Sequence, residues 1–342
     1  MGKATKAGDL RRLYETSYFG KLSILGLIVT MLFLIAIFSL TQGTYVLSVK
    51  EVFSALIGKV GGAQQVVVQN IRLPRIVAAI LCGWGLSLAG LNIQTLLRNP
   101  LGSPSTLGIS QGAACGATFA IVFVKANMVF VTAFAFAGAL ATAFIILALA
   151  KLRRLTPEAI ILAGVALSSL FAAATVLLQY LATEDELVKV VFWAFGDVAR
   201  SNWWELSLLA VAVAIITVKM LWLRWDLNAM IAGEETATSL GVNAKDRRTK
   251  GMLVSAFVAA VATAFHGVIA FVGLIAPHIA RRVVGDDHCL LIYFSAAIGA
   301  LLLLLADTVG RLFIGSGTLP VGVLTSFLGG PMFLFLLLQG EK

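Results

Sequence analysis

The sequence predicts an all-α polytopic membrane protein with about ten transmembrane helices. Composition supports this fold class, because 59% of the 342 residues are hydrophobic and 13% are charged. Soluble domains carry about twice that charged fraction. Apolar runs near the roughly 20 residues needed to cross a bilayer also recur along the whole chain. No compositional break marks a second domain, so residues 1–342 are predicted to form a single transmembrane domain.

Eight apolar runs are clear transmembrane candidates. They are Leu22–Leu40, Ile76–Leu97, Leu107–Val124, Met128–Ala150, Ala159–Ala182, Leu206–Leu223, Leu290–Ala306 and Val321–Leu338. A further stretch, Gly251–Ala280, has 30 residues without Asp, Glu, Lys or Arg, too many for one ordinary span and few for two. Basic residues flank it on both sides, so we predict two short spans of similar length that turn near His266 and Gly267. Short or interrupted spans in transporters often lie beside the substrate path.

Ten spans place both termini on the same side of the membrane. Basic residues then divide 17 to 8 between the two sides, with Lys219 inside a span. The positive-inside rule makes the side with 17 cytoplasmic. We therefore predict a protein of the cytoplasmic (inner) membrane with both termini inside. The net charge of +9 is explained by these loops, so no nucleic-acid partner is predicted.

The stretch 72–112 joins two spans through irregular sequence. Arg72-Leu73-Pro74-Arg75 predicts a rigid turn before the second span, and a loop broken by Pro100 follows that span. Irregular backbone at membrane depth must be buried in protein or must line a water-filled path. The stretch therefore indicates a transport pathway rather than a simple anchor.

Two motifs suggest other chemistry. Gly108-Ile109-Ser110-Gln111-Gly112 matches the nucleophile elbow G-x-S-x-G, which would make the chain an intramembrane hydrolase. Because the motif opens an apolar span, helix packing is the favoured interpretation. Gly285-Asp286-Asp287-His288 contains metal-ligand residue types, but a solvated loop is favoured there. We predict no catalytic residue and no metal or cofactor bound by this chain.

The sequence shows no energy source of its own. It has no Walker A pattern, and no span centre carries the Asp or Glu that coupled carriers usually need. Asp307 comes nearest, but it lies four residues before Arg311, which predicts a helical ion pair. A transporter of this kind needs a partner ATPase that holds ATP and Mg²⁺. A stand-alone secondary transporter is the alternative.

The loop 224–250 fits such a partner. Within it, Gly233–Val242 has acidic residues near its start, apolar Ala237 and Leu240 three residues apart, and a glycine at its end. This pattern predicts a short capped helix in the cytoplasm. An ordinary solvated connector is equally consistent with the pattern alone.

The sequence resembles a known family, the FecCD-type permeases. The motifs that carry the resemblance are Arg72–Arg75, Asn99-Pro100-Leu101, Leu107–Gly112, Gly233–Val242, Phe271–His278 and Leu319–Gly322. They occur in family order over about residues 20–340. The chain departs from the family pattern at Thr318, Gly102 and Ser103.

The resemblance implies the type II (BtuC-like) fold of the membrane subunits of ABC importers for ferric siderophores, haem and cobalamin. It implies a homodimer with a pathway on the two-fold axis, two cytoplasmic ATPase subunits and an external substrate-binding protein. A ferric siderophore is the substrate we expect. The resemblance assigns ATPase coupling to Gly233, Glu234, Glu235, Ala237, Leu240, Gly241 and Val242. It assigns binding-protein docking to Arg72, Arg75 and Arg311, with helix capping or the Asp307 ion pair as the alternative.

Overall fold

The structure, a computed structural model, describes residues 7–43, 45–59, 61–125, 127–313 and 319–338. These residues form an all-α protein. Its α-helices are α1 (Ala7–Thr41), α2 (Val49–Leu56), α3 (Ala63–Val66), α4 (Leu73–Leu97), α5 (Ile109–Phe119), α6 (Met128–Leu152), α7 (Pro157–Tyr180), α8 (Glu184–Ala194), α9 (Trp203–Trp222), α10 (Arg224–Ala232), α11 (Glu234–Ser239), α12 (Ala244–His266), α13 (Val272–Val284), α14 (His288–Phe313) and α15 (Val321–Leu338).

The predicted spans are consistent with the helices. Among the described residues, seven helical stretches are long and apolar enough to cross a bilayer. Three shorter helices complete the set of about ten: α5, which a π-helical turn extends to Val124, α13 and α15. Thr318 lies outside the described residues.

Helix α4 forms the centre of the molecule. Helix α4 lies within the helical stretch Ala63–Leu97, and 78% of the residues in the most apolar 18-residue segment of that stretch are buried. Two glycines allow other backbones to approach it closely. A Cβ atom on Gly90 would lie 1.7 Å from the carbonyl oxygen of Gly273 in α13, and one on Gly83 would lie 2.3 Å from that of Gly299 in α14. Small residues at these positions therefore set the spacing of three helices.

The predicted turn at Arg72–Arg75 is wrong. Helical backbone runs from Ala63 to Leu97, and Val67–Arg72 is its π-helical part. Pro74 occupies the first turn of α4, where a missing backbone N–H is tolerated. The wider π turn that precedes it allows the helix to continue through a proline that normally breaks it.

The predicted turn at His266 and Gly267 is confirmed. Helix α12 ends at His266, and Gly267 adopts a positive φ of 73° that favours glycine. The two halves are unequal, however, contrary to the prediction. Helix α12 has 23 residues because its polar first turn begins at Ala244 and is capped by Asn243, whereas α13 has 13 residues.

Side-chain and backbone contacts group the helix ends into two sets. Lys21 Nζ donates to the carbonyl oxygen of Val284 at 3.0 Å, which joins the first part of α1 to the end of α13. At the other end, Arg311 donates to the carbonyl oxygen of Ser39 at 3.2 Å, which joins the ends of α14 and α1. We call the first the inner end and the second the outer end. This grouping agrees with the predicted alternation of crossings.

Candidate functional site

A short helix at the inner end matches the predicted coupling element. Helix α11 covers Glu234–Ser239, and Gly233 precedes it with a φ of 126°. Gly241 follows with a φ of 82°. The Val242 N–H donates to the Ala237 carbonyl at 2.8 Å and the Gly241 N–H donates to that of Thr238 at 2.9 Å. These two hydrogen bonds form a Schellman motif, so the predicted capped helix is confirmed.

The residues assigned to coupling divide between two faces of this helix. Ala237 is fully buried and Val242 is 9% exposed, so both pack against the rest of the chain. Leu240 is 68% exposed, which leaves an apolar side chain in the solvent at the inner end. Glu235 is exposed as well. A partner protein can therefore reach Leu240 and Glu235, whereas Ala237 holds α11 in place.

The sequence did not single out Arg248, which lies beneath α11. Arg248 is almost fully buried, with 1% of its surface exposed. Its guanidinium donates to Glu234 Oε2 at 3.0 Å, to the Leu155 carbonyl at 2.6 Å and to the Leu96 carbonyl at 3.2 Å. Arg248 therefore joins α12 to α11, to the α6–α7 turn and to the end of α4. Its spacing from the buried residues Met252 and Ser255 on α12 was the signal that could have revealed it.

The α6–α7 turn has unusual backbone geometry. Arg154 and Leu155 both have a φ of 58°, the left-handed conformation that residues other than glycine rarely adopt. Such geometry persists where surrounding contacts hold it. Arg248 provides one such contact through the Leu155 carbonyl.

A cluster of charged groups lies at the outer end. The Asp307 side chain is fully buried, and Arg75 donates to its Oδ1 at 2.8 Å. Arg311 Nε lies 3.3 Å from Asp307 Oδ2, so the predicted ion pair is confirmed. Arg72 donates to the carbonyl oxygens of Leu40, at 2.6 Å, and of Tyr45. The partnership between Asp307 and Arg75 was not predicted from the sequence.

The three arginines assigned to docking therefore lie together, but they face inward. Arg72 is 5% exposed and Arg75 is 7% exposed. The side chain of Arg311 is 9% exposed. Within this chain their contacts support the alternative role, which is to hold helix ends together. The docking role stays a prediction.

The serine motif packs two helices. Ser110 is 3% exposed, and its nearest side-chain hydrogen-bond partner in the described chain is Ser105, at 3.4 Å between the Oγ atoms. A Cβ atom on Gly112 would lie 1.9 Å from Thr142 Oγ1 in α6. Gly112 thus allows α5 and α6 to approach closely, and Gly108 lies against Ser168 of α7, which supports packing over the hydrolase alternative.

The predicted solvated loop at Gly285–His288 is wrong for its last residue. His288 is fully buried at the start of α14. Its Nδ1 lies 2.8 Å from Asn228 Oδ1, and its Nε2 lies 2.9 Å from Thr95 Oγ1. Both ring nitrogens are therefore used to join α14 to α10 and α4.

Comparison with known proteins agrees with this arrangement. The family model described as the FecCD transport family matches residues 31–339. The chain belongs to this family. It is 50% identical to a provisionally assigned ABC transporter permease of Methanocaldococcus jannaschii, over 98% of this chain and 99% of that one. It is 34% identical to a hemin transport system permease of Yersinia pestis, over 93% and 96%.

A solved structure has the same fold as this chain. The chain is 33% identical to an inward-facing, provisionally assigned metal-chelate type ABC transporter. The TM-score is 0.82, and the match covers 94% of this chain and 100% of that one. The predicted family and the all-α membrane fold are confirmed.

Proposed function

We propose that this FecCD family member is the permease subunit of an ABC importer that moves a metal chelate across the cytoplasmic membrane. The observation that carries the proposal is α11, a capped helix that exposes Leu240 at the inner end of a chain matched to the family over residues 31–339. An ATPase subunit that contacts this helix would supply the energy that the sequence lacks, because the chain has no Walker A pattern.

The assembly we propose has two copies of this chain, two cytoplasmic ATPase subunits and an external binding protein. The exposed surface of α7 supports a second copy, because only 17% of the residues in its apolar window are buried. Lipid or another copy of the chain must cover the rest. In this proposal the pathway lies on the two-fold axis between the copies, as the family resemblance implies.

The proposed orientation places α11 in the cytoplasm. Basic residues divide 17 to 8 between the two sides of the membrane, and α11 lies on the side that has 17. Both termini then lie in the cytoplasm. The outer end, with Arg72, Arg75 and Arg311, faces the binding protein, and docking through these arginines remains part of the proposal. Their inward contacts mean that docking would require them to exchange internal partners for external ones.

The substrate class we propose is a metal chelate, with a ferric siderophore first and haem or cobalamin next. A relative that transports hemin and a solved transporter of metal-chelate type support the class. The individual chelate is set chiefly by the binding protein in this proposal.

The test is uptake by proteoliposomes that contain the chain, the ATPase and the binding protein of the same organism. A ferric hydroxamate, hemin and cobalamin are offered separately, with and without ATP. We expect ATP-dependent accumulation of at least one chelate. Liposomes with the chain alone are the control. Accumulation against a gradient without the ATPase would favour the secondary transporter instead.

A further inference from the structure

A single buried side chain connects the candidate coupling helix with two distant parts of the fold. Arg248 contacts Glu234 in α11, the Leu155 carbonyl in the α6–α7 turn and the Leu96 carbonyl in the last turn of α4. These contacts span 14, 93 and 152 residues of sequence. Each of the three guanidinium nitrogens has its own acceptor.

We propose that Arg248 transmits movement of α11 to the α6–α7 turn, with α4 as the fixed support. It is a positioning residue in the transport cycle and touches neither substrate nor nucleotide. The inference rests on the proposed function, because it requires an ATPase that moves α11.

The packing of the three partners gives this link a direction. Helix α4 lies in the most buried of the seven long apolar stretches in the described part of the chain, where 78% of the residues in the most apolar segment are buried. The Leu96 carbonyl is therefore a fixed point. Helix α7 follows the α6–α7 turn, and only 17% of the residues in its most apolar segment are buried, so the rest of this chain holds α7 less firmly than it holds α4. Movement that enters at Glu234 is therefore passed to the start of α7.

The chemistry of the side chain suits this role. Guanidinium is planar, and its donors keep fixed angles to one another, so a displacement of one partner is passed to the others. An ammonium is a point charge on a flexible stem and would not hold three acceptors at set angles. The ion pair with Glu234 is also charge-assisted, which makes it stronger than an ordinary hydrogen bond.

The backbone of the α6–α7 turn makes it responsive. Arg154 and Leu155 are both held at a φ of 58°, a conformation that relaxes if its contacts are released. The Leu155 carbonyl belongs to this strained pair, so Arg248 holds the turn at the strained residue itself. A small shift of the guanidinium can then change the geometry of the whole turn.

The experiment places one fluorophore at a time on the two sides of the link. Ser239→Cys reports on α11, and Arg153→Cys reports on the α6–α7 turn, where Arg153 is exposed. Both are made in a chain with Cys115→Ser and Cys289→Ser, while Cys82 is buried and stays. The permease is reconstituted with its ATPase in nanodiscs, and a non-hydrolysable ATP analogue is added.

In the otherwise unchanged chain we expect the analogue to alter fluorescence at both positions. In Arg248→Lys and Arg248→Gln we expect the response at 239 to persist. The response at 153 should be lost, because the connection between α11 and the turn is removed. Arg247→Gln is the matched control, since Arg247 pairs with Asp226 at 2.8 Å beside the link. It should leave both responses unchanged.

A milder variant covers the case in which Arg248 variants fail to fold. Glu234 has a side chain 45% exposed, so Glu234→Gln removes the charge of one partner with little effect on packing. We expect it to reduce the response at 153, whereas Asp246→Asn, which removes the charge of a carboxylate paired with Lys250 at 2.9 Å outside α11, should not. Equal responses at 153 in Glu234→Gln, Asp246→Asn and the unchanged chain would overturn the link.

The two proposals fail in different ways. If position 239 of the unchanged chain does not respond to nucleotide, the ATPase does not act on α11, and the proposed function is overturned together with this inference. If 239 responds and 153 responds equally with and without Arg248, the proposed function stands and the link is wrong.

Discussion

At the scale of single residues, the buried carboxylate of Asp307 pairs with two arginines. It is shared by Arg75 at 2.8 Å and Arg311 at 3.3 Å, and its side chain is fully buried. Two buried cations therefore depend on one anion. Removing one partner of such a pair leaves buried charge without compensation, which is more costly than the pair is stabilising.

Asp307→Asn should therefore destabilise the protein strongly. Breaking a buried pair costs about 3–5 kcal/mol, and thermal unfolding of the purified protein in detergent measures the effect. Asp246→Asn is the matched control, because Asp246 pairs with Lys250 at 2.9 Å on the surface. An exposed pair is worth about 0–1 kcal/mol. Similar melting temperatures for the two variants would contradict the assigned role of Asp307.

Arg154→Gly should have the opposite effect. Arg154 is exposed and has a φ of 58°, which glycine adopts without the steric cost of a Cβ atom. We expect stabilisation of about 1 kcal/mol, since left-handed backbone costs that order for other residues. Arg153, at a φ of −111°, gains no such relief, so Arg153→Gly is the control. A melting temperature for Arg154→Gly at or below that of the unchanged protein would show that the turn is not strained.

At the scale of elements, α11 has one face for the fold and one for a partner. Leu240→Asp changes the exposed face and should leave the chain folded in the membrane while ATP hydrolysis no longer drives uptake. Ser239→Asp adds the same charge at an exposed neighbour and is the control. Uptake and hydrolysis are measured in the same proteoliposomes. Normal uptake in Leu240→Asp would return α11 to an ordinary connector.

Ala237→Arg tests the other face. Ala237 is fully buried, so an arginine there cannot be accommodated without displacing α11. We expect loss of folded protein, measured by size-exclusion chromatography in detergent, rather than selective uncoupling. A folded Ala237→Arg variant that still binds the ATPase would show that α11 is held by other contacts.

The membrane-spanning helices were largely predictable, because each one can be recognised from the length of an apolar run in the sequence. Met128–Ala150 and Ala159–Ala182 were found within two residues of α6 and α7. The role of Arg248 could not be predicted, since its partners lie up to 152 residues away and a charge count treats every basic loop residue alike. The turn assigned to Pro74 was wrong because a preceding π turn allowed the helix to continue.

At the scale of the whole molecule, the two ends of the bundle should face different compartments. Cysteines replacing Arg153 or Ser239 lie at the inner end, and one replacing Lys189 lies on α8 in the predicted outer loop. In intact cells, a membrane-impermeant maleimide should label position 189, and it should label 153 and 239 after permeabilisation. The background carries Cys115→Ser and Cys289→Ser. Labelling of 239 in intact cells would invert the proposed orientation.

The short helix α13 also affects how the protein meets its lipid. Thirteen residues span about 20 Å, whereas a hydrocarbon core is about 30 Å thick. Most of α13 is buried, so protein rather than lipid fills the remaining thickness of the hydrocarbon core. This protein includes the extended backbone beside Gly196 and Val268. In helix α1, only 17% of the residues of the most apolar segment are buried, so this helix would follow a change in bilayer thickness. Hydrophobic mismatch in a thinner or thicker membrane would therefore tilt α1 while α13 keeps its depth.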